Sequence, residues 1–308
     1  LGRSRGLGDV YKRQEIILSE IEHHANIIPW QMAAKKYGLN IKYIKIDDSY
    51  NLDLDHLNSL LTSKTKIVSI VGESNMSGML PNIKEIVSNV KSKSDAIFIL
   101  DGAQLVPHRF VDVQDLGIDF LCVSGHKMLG PTGIGVVWGR KELWDSMDPV
   151  YGGGDMIEEV YYDKATWAPV PHKFEAGTPP FVEAIGLGVA AEYLMNITMS
   201  EVQQHSDSLR EYAKSKLENI DGLNVIHSIS KNAGCTFAMS VEGAHAADIS
   251  LMLDTYGVAV RAGHHCVQPF HRKLKLDATF RAPGYIYNNE EDFDTLAYAI
   301  ENSIKMLK

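Results

Sequence analysis

The sequence predicts an α/β fold: a mostly parallel sheet with helices on both faces, followed by a smaller C-terminal α+β domain. Three observations carry that expectation. From Glu15 to about residue 147, short apolar runs alternate with helical patterns, the order that builds a parallel sheet through helical crossovers. Residues 148–181 then break the alternation with a stretch rich in Gly, Pro and aromatics. After it, two long helical patterns lead into short strands and a closing helix, the order of an α+β unit.

Taken in order, residues 1–14 read LGRSRGLGDVYKRQ, basic and Gly-rich, and give way abruptly to the strand-like Glu15-Ile-Ile-Leu-Ser19. They are expected to be a non-native leader, the alternative being a disordered basic tail. Strands are expected near 15–19, 41–46, 66–71, 96–100, 119–123 and 134–138, with helices near 27–37, 53–62, 82–92 and 140–147. Asn51 or Asp53 near the start of the second helix, and Pro81 at the first position of the third, are start signals. The stretch 148–181, with Gly152-Gly-Gly154 and Glu175-Ala-Gly-Thr-Pro179, reads as long functional loops. Helices follow near 182–196 and 199–219, strands near 223–227 and 234–241, a helix at 246–256, a strand at 258–261 and a last helix at 290–307. The domains are accordingly set at 15–200 and 201–308.

With 308 residues, 45% of them hydrophobic and 22% charged, the chain can bury a large core. A net charge of -9, with no basic run, argues against a nucleic-acid surface. Cys122, Cys235 and Cys266 are odd in number and far apart, which fits a reducing compartment, the cytoplasm, better than a disulfide framework. No apolar stretch reaches the ~20 residues of a membrane span.

Lys127, in Ser124-Gly-His-Lys127 just past the apolar run Asp119–Val123, is the first candidate for chemistry. A lysine there pairs with an anion, snorkels to water or bonds a ligand as a Schiff base, because an unpaired ammonium is costly to bury. Asp101 ends another apolar run, where parallel sheets bind ligands and a carboxylate can hold a cationic ring nitrogen; capping a turn is the alternative. Gln104 can reach the same ligand, and His23 and His24 follow the first strand by the same logic, or cap a helix start. Arg261-Ala-Gly-His-His-Cys266 sets a thiol among imidazoles and a guanidinium, a setting for a reactive nucleophile rather than an inert core cysteine. No second cluster at metal spacing supports a zinc site.

Together, Glu22-His-His-Ala-Asn26, Asp101-Gly-Ala-Gln104, Ser124-Gly-His-Lys127, Gly130-Pro-Thr-Gly133, Glu175-Ala-Gly-Thr-Pro179 and Arg261-Ala-Gly-His-His-Cys266 closely resemble the SufS-type (group II) pyridoxal-phosphate-dependent cysteine desulfurases of the class V aminotransferase superfamily. The resemblance runs from about Glu15 to the C-terminus and implies a fold-type I transferase. By it, Lys127 carries pyridoxal 5'-phosphate and then moves protons, Asp101 pairs with the ring nitrogen, and His23 stacks on the ring. Gln104 and Asn75 bond the phenolic oxygen, and Ser124 with His126 hold the phosphate. Thr178 reaches the neighbouring subunit's phosphate, which implies a homodimer. Arg281 clamps the carboxylate of L-cysteine, and Arg261 tunes the thiol or helps place the substrate. Cys266 takes the sulfur as a persulfide, to be collected by an acceptor protein of SufE/SufU type for iron–sulfur cluster assembly.

Two departures stand against this pattern. The strand and phosphate-holding helix start that open the family's large domain have no counterpart here, so the chain is expected to be N-terminally incomplete. Arg281-Ala-Pro-Gly284 stands where the family continues Arg-Ala-Ser, which leaves open whether Pro283 shifts the backbone that carries Arg281. A selenocysteine lyase, a cysteine-sulfinate-acting relative and a catalytically silent dimerisation partner remain as alternatives.

Overall fold

The structure, a computed structural model, describes residues 14–47, 50–226 and 232–307; all but the last residue of the leader expected at 1–14, and the last residue of the strand expected at 223–227, lie outside them. Six strands form the first sheet: β1 (Glu15–Ser19), β2 (Asn40–Ile44), β3 (Thr65–Val71), β4 (Ile97–Asp101), β5 (Phe120–Ser124) and β6 (Gly135–Gly139), in the order β2-β1-β3-β4-β5-β6. All neighbours run parallel except β5 and β6. Every residue of β1 is buried, as a strand covered on both faces requires. Ile17, Val68, Ile70, Phe98 and Leu100 form its core. Each such fully buried side chain contributes roughly 1.5–3 kcal/mol.

Local chemistry sets the helix starts. Asp53 caps Leu54–Leu60 by accepting the His56 N–H at 2.8 Å. The helix Ile83–Lys93 begins after Asn82, whose side chain accepts from the Glu85 N–H while its amide donates to the Glu85 carboxylate at 3.0 Å. That reciprocal cap sets the start, so Pro81 lies ahead of the cap rather than at the first helical position. The stretch at 148–181 is not wholly loop, because β7 (Ile157–Val160) and β8 (Ala165–Trp167) pair within it as a hairpin.

The helices Phe181–Ile197 and Met199–Leu217 meet at a bend of 74°. The second helix lies on a four-stranded antiparallel sheet of β9 (Leu223–Ile226), β10 (Thr236–Val241), β11 (Arg261–Gly263) and β12 (Thr279–Pro283), in the order β11-β12-β10-β9. The strand expected at 258–261 begins three residues later, because residues 258–260 form the exit from the preceding helix, with the Val258 N–H bonded to Leu253 O. Neither β12 nor the helix Gln268–Leu274 stood out in the sequence. The helix Glu290–Leu307 covers this sheet. Ile226, Ala238, Val267 and Phe270 also belong to the core of the large sheet, so the two sheets share packing. Among the described residues no single helix is long and apolar enough to cross a membrane.

Candidate active site

The parallel strands β1, β3, β4 and β5 all deliver polar residues at their carboxyl ends, where open α/β sheets bind ligands. There a cavity of about 480 Å³ is lined by His23, Asn75, Asp101, Gln104, Ser124, His126, Lys127 and Arg261, with Cys122 and Ile99 among its apolar lining. A cavity of this size falls in the roughly 300–1,000 Å³ class that takes small ligands.

Lys127 closes a short 3-10 turn that leaves β5 directly. Glycines make that turn possible: a Cβ on Gly125 would stand 2.8 Å from Ile134 O, and one on Gly130 2.8 Å from Gly125 O. Burial lowers the Lys127 amine below its ordinary value; the Asp101 charge opposes the shift and Arg281 adds to it. Asp101 is held by its own turn, accepting the Ala103 N–H at 3.0 Å. His23 Nδ1 accepts the Ala25 N–H at 3.0 Å, which leaves its other nitrogen as the protonated one in the neutral ring. Burial, and then the Lys127 charge, lower His23 as well. Ser124 Oγ lies 3.1 Å from His126 Nδ1.

A buried network holds the His23 loop. Glu22 is fully buried and accepts from Ser19 Oγ, from Asn26 Nδ2 at 2.7 Å and from the Val71 N–H at 3.1 Å. Burial raises its carboxyl to about 7 against those bonds, with Asp101 adding to the rise. Asn26 Oδ1 in turn accepts from Ser69 Oγ and the Trp30 indole.

Cys266 follows β11 on an unusual turn. His265 and Cys266 both take left-handed backbone, φ 51° and 58°. Each such residue costs roughly 1–2 kcal/mol, so the surroundings must impose it. The His24 N–H donates to Cys266 O at 2.8 Å, the Gln268 N–H donates to His24 Nε2 at 3.0 Å, and Asn75 Nδ2 donates to His265 O at 2.7 Å. Arg281 donates to Asn75 O, which ties the same loop to β12. Cys266 is exposed. Cys122, by contrast, is pushed up to about 11 by burial and by Asp101, so it stays a thiol at neutral pH.

The pattern of the aminotransferase class-V family matches residues 4–296. A cysteine desulfurase of Haloferax volcanii is 42% identical over 296 residues, 96% of this chain and 69% of that protein. The chain belongs to the class-V aminotransferase family. A probable cysteine desulfurase of Staphylococcus epidermidis is likewise 42% identical, over 98% of this chain and 73% of that protein. Among solved structures, the cysteine desulfurase CsdA of Escherichia coli superposes with a TM-score of 0.91 at 33% identity, covering 97% of this chain and 77% of that chain. The apo cysteine desulfurase of Thermococcus onnurineus gives 0.91 at 34% identity, covering 97% and 75%.

Within this class-V fold, the structure brings His23, Asn75, Asp101, Gln104, Ser124, His126, Lys127 and Arg261 to one cavity. Arg281 and Cys266 stand beside it, within electrostatic reach of Lys127. Thr178 is not brought there; it lies exposed on the loop before the helix Phe181–Ile197. Arg281 keeps register with Ala238 and Arg261 within β12, and Pro283 ends the ladder opposite Thr236. Sequence reasoning named His24 as a strand-end candidate but gave no role to Glu22, Asn26 or Glu73. Glu73 is buried after β3 and fills the space where Gly234 lacks a Cβ, which would meet Glu73 Oε1 at 2.0 Å. Burial pushes its carboxyl up to about 8, with Arg109 opposing and Asp207 adding. The one signal was Glu22-His-His-Ala-Asn26, which contained three of these residues without saying what they bond.

The residues present fit pyridoxal phosphate. Asn75 Oδ1 and Arg281 Nε are buried without a partner, polar capacity that a ligand can use. The cavity also gathers an amine, a carboxylate, two imidazoles and a hydroxyl on one lining.

Proposed function

We propose that this chain is a cysteine desulfurase: it converts L-cysteine to L-alanine and places the sulfur on Cys266 as a persulfide, for delivery to iron–sulfur cluster assembly. The observation that carries this reading is the convergence of the Lys127 amine, the Asp101 carboxylate and the Cys266 turn at one set of strand ends. When bound, pyridoxal phosphate supplies an aldehyde for an amine and a ring that withdraws electrons from the carbon beside it.

Lys127 would hold that group covalently, and its lowered pKa suits an amine that alternates between bonding and moving a proton at the substrate Cα. Asp101 would keep a proton on the ring nitrogen, and His23 would pack against the ring. Gln104 and Asn75 would bond the phenolic oxygen; Asn75 retains a second Nδ2 hydrogen beyond the one given to His265 O. Ser124 and His126 would hold the phosphate. Arg281 takes the substrate carboxylate through its fork of donors, with Arg261 adding charge. The Cys266 sulfur then attacks the substrate sulfur: an S–S bond forms, the Cβ–S bond breaks, and a proton delivered to carbon yields alanine.

A homodimer fits the surface. Val136, Val137, Phe181, Val182, Ile185 and Val189 are exposed apolar side chains that a second copy would cover, with Thr178 reaching the partner's phosphate. A sulfur acceptor of SufE/SufU type takes the persulfide from exposed Cys266 in the cytoplasm. The domain boundary is placed near residue 200, supported by the 74° bend between the two long helices.

The test is alanine and sulfide release from L-cysteine, with pyridoxal phosphate and dithiothreitol, by this chain and by Cys266→Ala. Turnover that depends on Cys266 supports the reading; alanine formed equally well by Cys266→Ala sinks it.

A further inference from the structure

Hydrogen-bond bookkeeping around Cys266 fixes the state of its neighbour. His271 Nδ1 lies 3.1 Å from Val267 O, an acceptor only, so that nitrogen carries the proton and His271 Nε2 accepts. Thr279 Oγ1, 3.0 Å from His271 Nε2, therefore donates its hydrogen there. The oxygen is left to accept from His265 Nε2 at 2.9 Å, and Thr279 O, 3.1 Å from the same nitrogen, also accepts. His265 is thus the Nε2–H tautomer, clamped on β12, with its Nδ1 lone pair buried and unpartnered. Its carbonyl is held by Asn75, in the turn that follows β3. The residue so gripped at both ends carries the first of the two left-handed φ angles that present Cys266.

We propose that His265 is a positioning residue: its neutral ring, anchored to Thr279, holds the left-handed turn that aims the Cys266 sulfur at the substrate. This deepens the desulfurase reading and rests on it. Burial, the Arg281 charge and His271 depress the His265 ring to about 3, so the anchoring tautomer persists through the physiological range. The geometry assigns the ring no contact with substrate. Its effect passes through the backbone, as effective concentration of the thiol rather than as its reactivity.

The experiment compares wild type, His265→Leu, His265→Gln and Thr279→Val in the full chain. Three readouts are taken: single-turnover persulfide formation at Cys266 by mass spectrometry, alkylation of Cys266 by iodoacetamide without cofactor, and hydrogen exchange at the His24 amide, which donates to Cys266 O. In His265→Leu, persulfide formation is expected to fall about tenfold or more. Alkylation and the KM for cysteine should stay within about twofold, and His24 exchange should quicken. His265→Gln, which can place an amide N–H near Thr279, should recover most of the rate. Thr279→Val removes one of the two acceptors and should fall between, which keeps the test open if the leucine variant does not fold.

Unchanged persulfide formation in His265→Leu or, failing that protein, in Thr279→Val overturns the inference. So does alkylation that falls in parallel, since His265 would then tune the thiol itself. A wild type that loads no sulfur on Cys266 removes the desulfurase reading, and this inference with it, before any variant is compared.

Discussion

Lys127 stands at the end of a buried parallel strand on a turn closed by glycines, whereas Cys266 stands on a left-handed turn held by hydrogen bonds from residues far away in sequence. The first position follows from local geometry and the packing of the large sheet. The second exists only when β12, Asn75 and His24 are already in place. The amine is therefore held by its own strand and turn, and the thiol by a few polar contacts with residues distant in sequence. Local support suits a residue that must hold a group at a fixed point. A turn at the surface suits one that must also hand its sulfur to another protein.

The contrast breaks most sharply at Lys127. Lys127→Ala should lower alanine formation by about a thousandfold or more and abolish the near-visible absorbance that pyridoxal phosphate gives the wild type. Titrating cofactor into Asp101→Asn should show binding weakened roughly 10- to 100-fold, the size of one hydrogen bond to a charged group. On the other side, Asn75→Ala should cost about 1–3 kcal/mol in urea unfolding, by leaving His265 O without its buried donor. Persulfide formation at Cys266 should fall more than cofactor affinity in that variant; equal losses would mean that the two regions are not separable.

The smallest effect is a pH dependence where the sheets meet. Glu73 is raised from 4.5 to about 8, so the fold favours its protonated form. Its contribution is complete below about 4.5 and is lost as pH rises through about 8. Glu73→Gln removes that loss, so its Tm should gain on the wild type progressively from pH 5 to pH 9. A Tm difference that stays flat with pH would contradict the assignment.

The two regions were unequally legible. Asp101 and Lys127 could be read as strand-end residues because apolar runs announce parallel strands and the chemistry sits at their carboxyl ends. β12 could not: Thr279-Phe-Arg-Ala-Pro283 is short, carries a charge at its centre and ends in proline, so Arg281 was reached only through resemblance. The helix Gln268–Leu274 is a bare two turns opening with proline. Asn75 is separated from His265 by 190 positions, and no local pattern reports such a bond. Pro283 raised the question of whether Arg281 is shifted, because its ring restricts the preceding residue. In β12 that restriction favours the extended backbone the strand already has.

The most direct test of the account is where the sulfur goes in one turnover. With one equivalent of L-cysteine and pyridoxal phosphate present, the account predicts one alanine released per Cys266 that gains a sulfur atom, located by peptide mass spectrometry. Alanine released with the sulfur free in solution, or carried on Cys122 or Cys235, would contradict it.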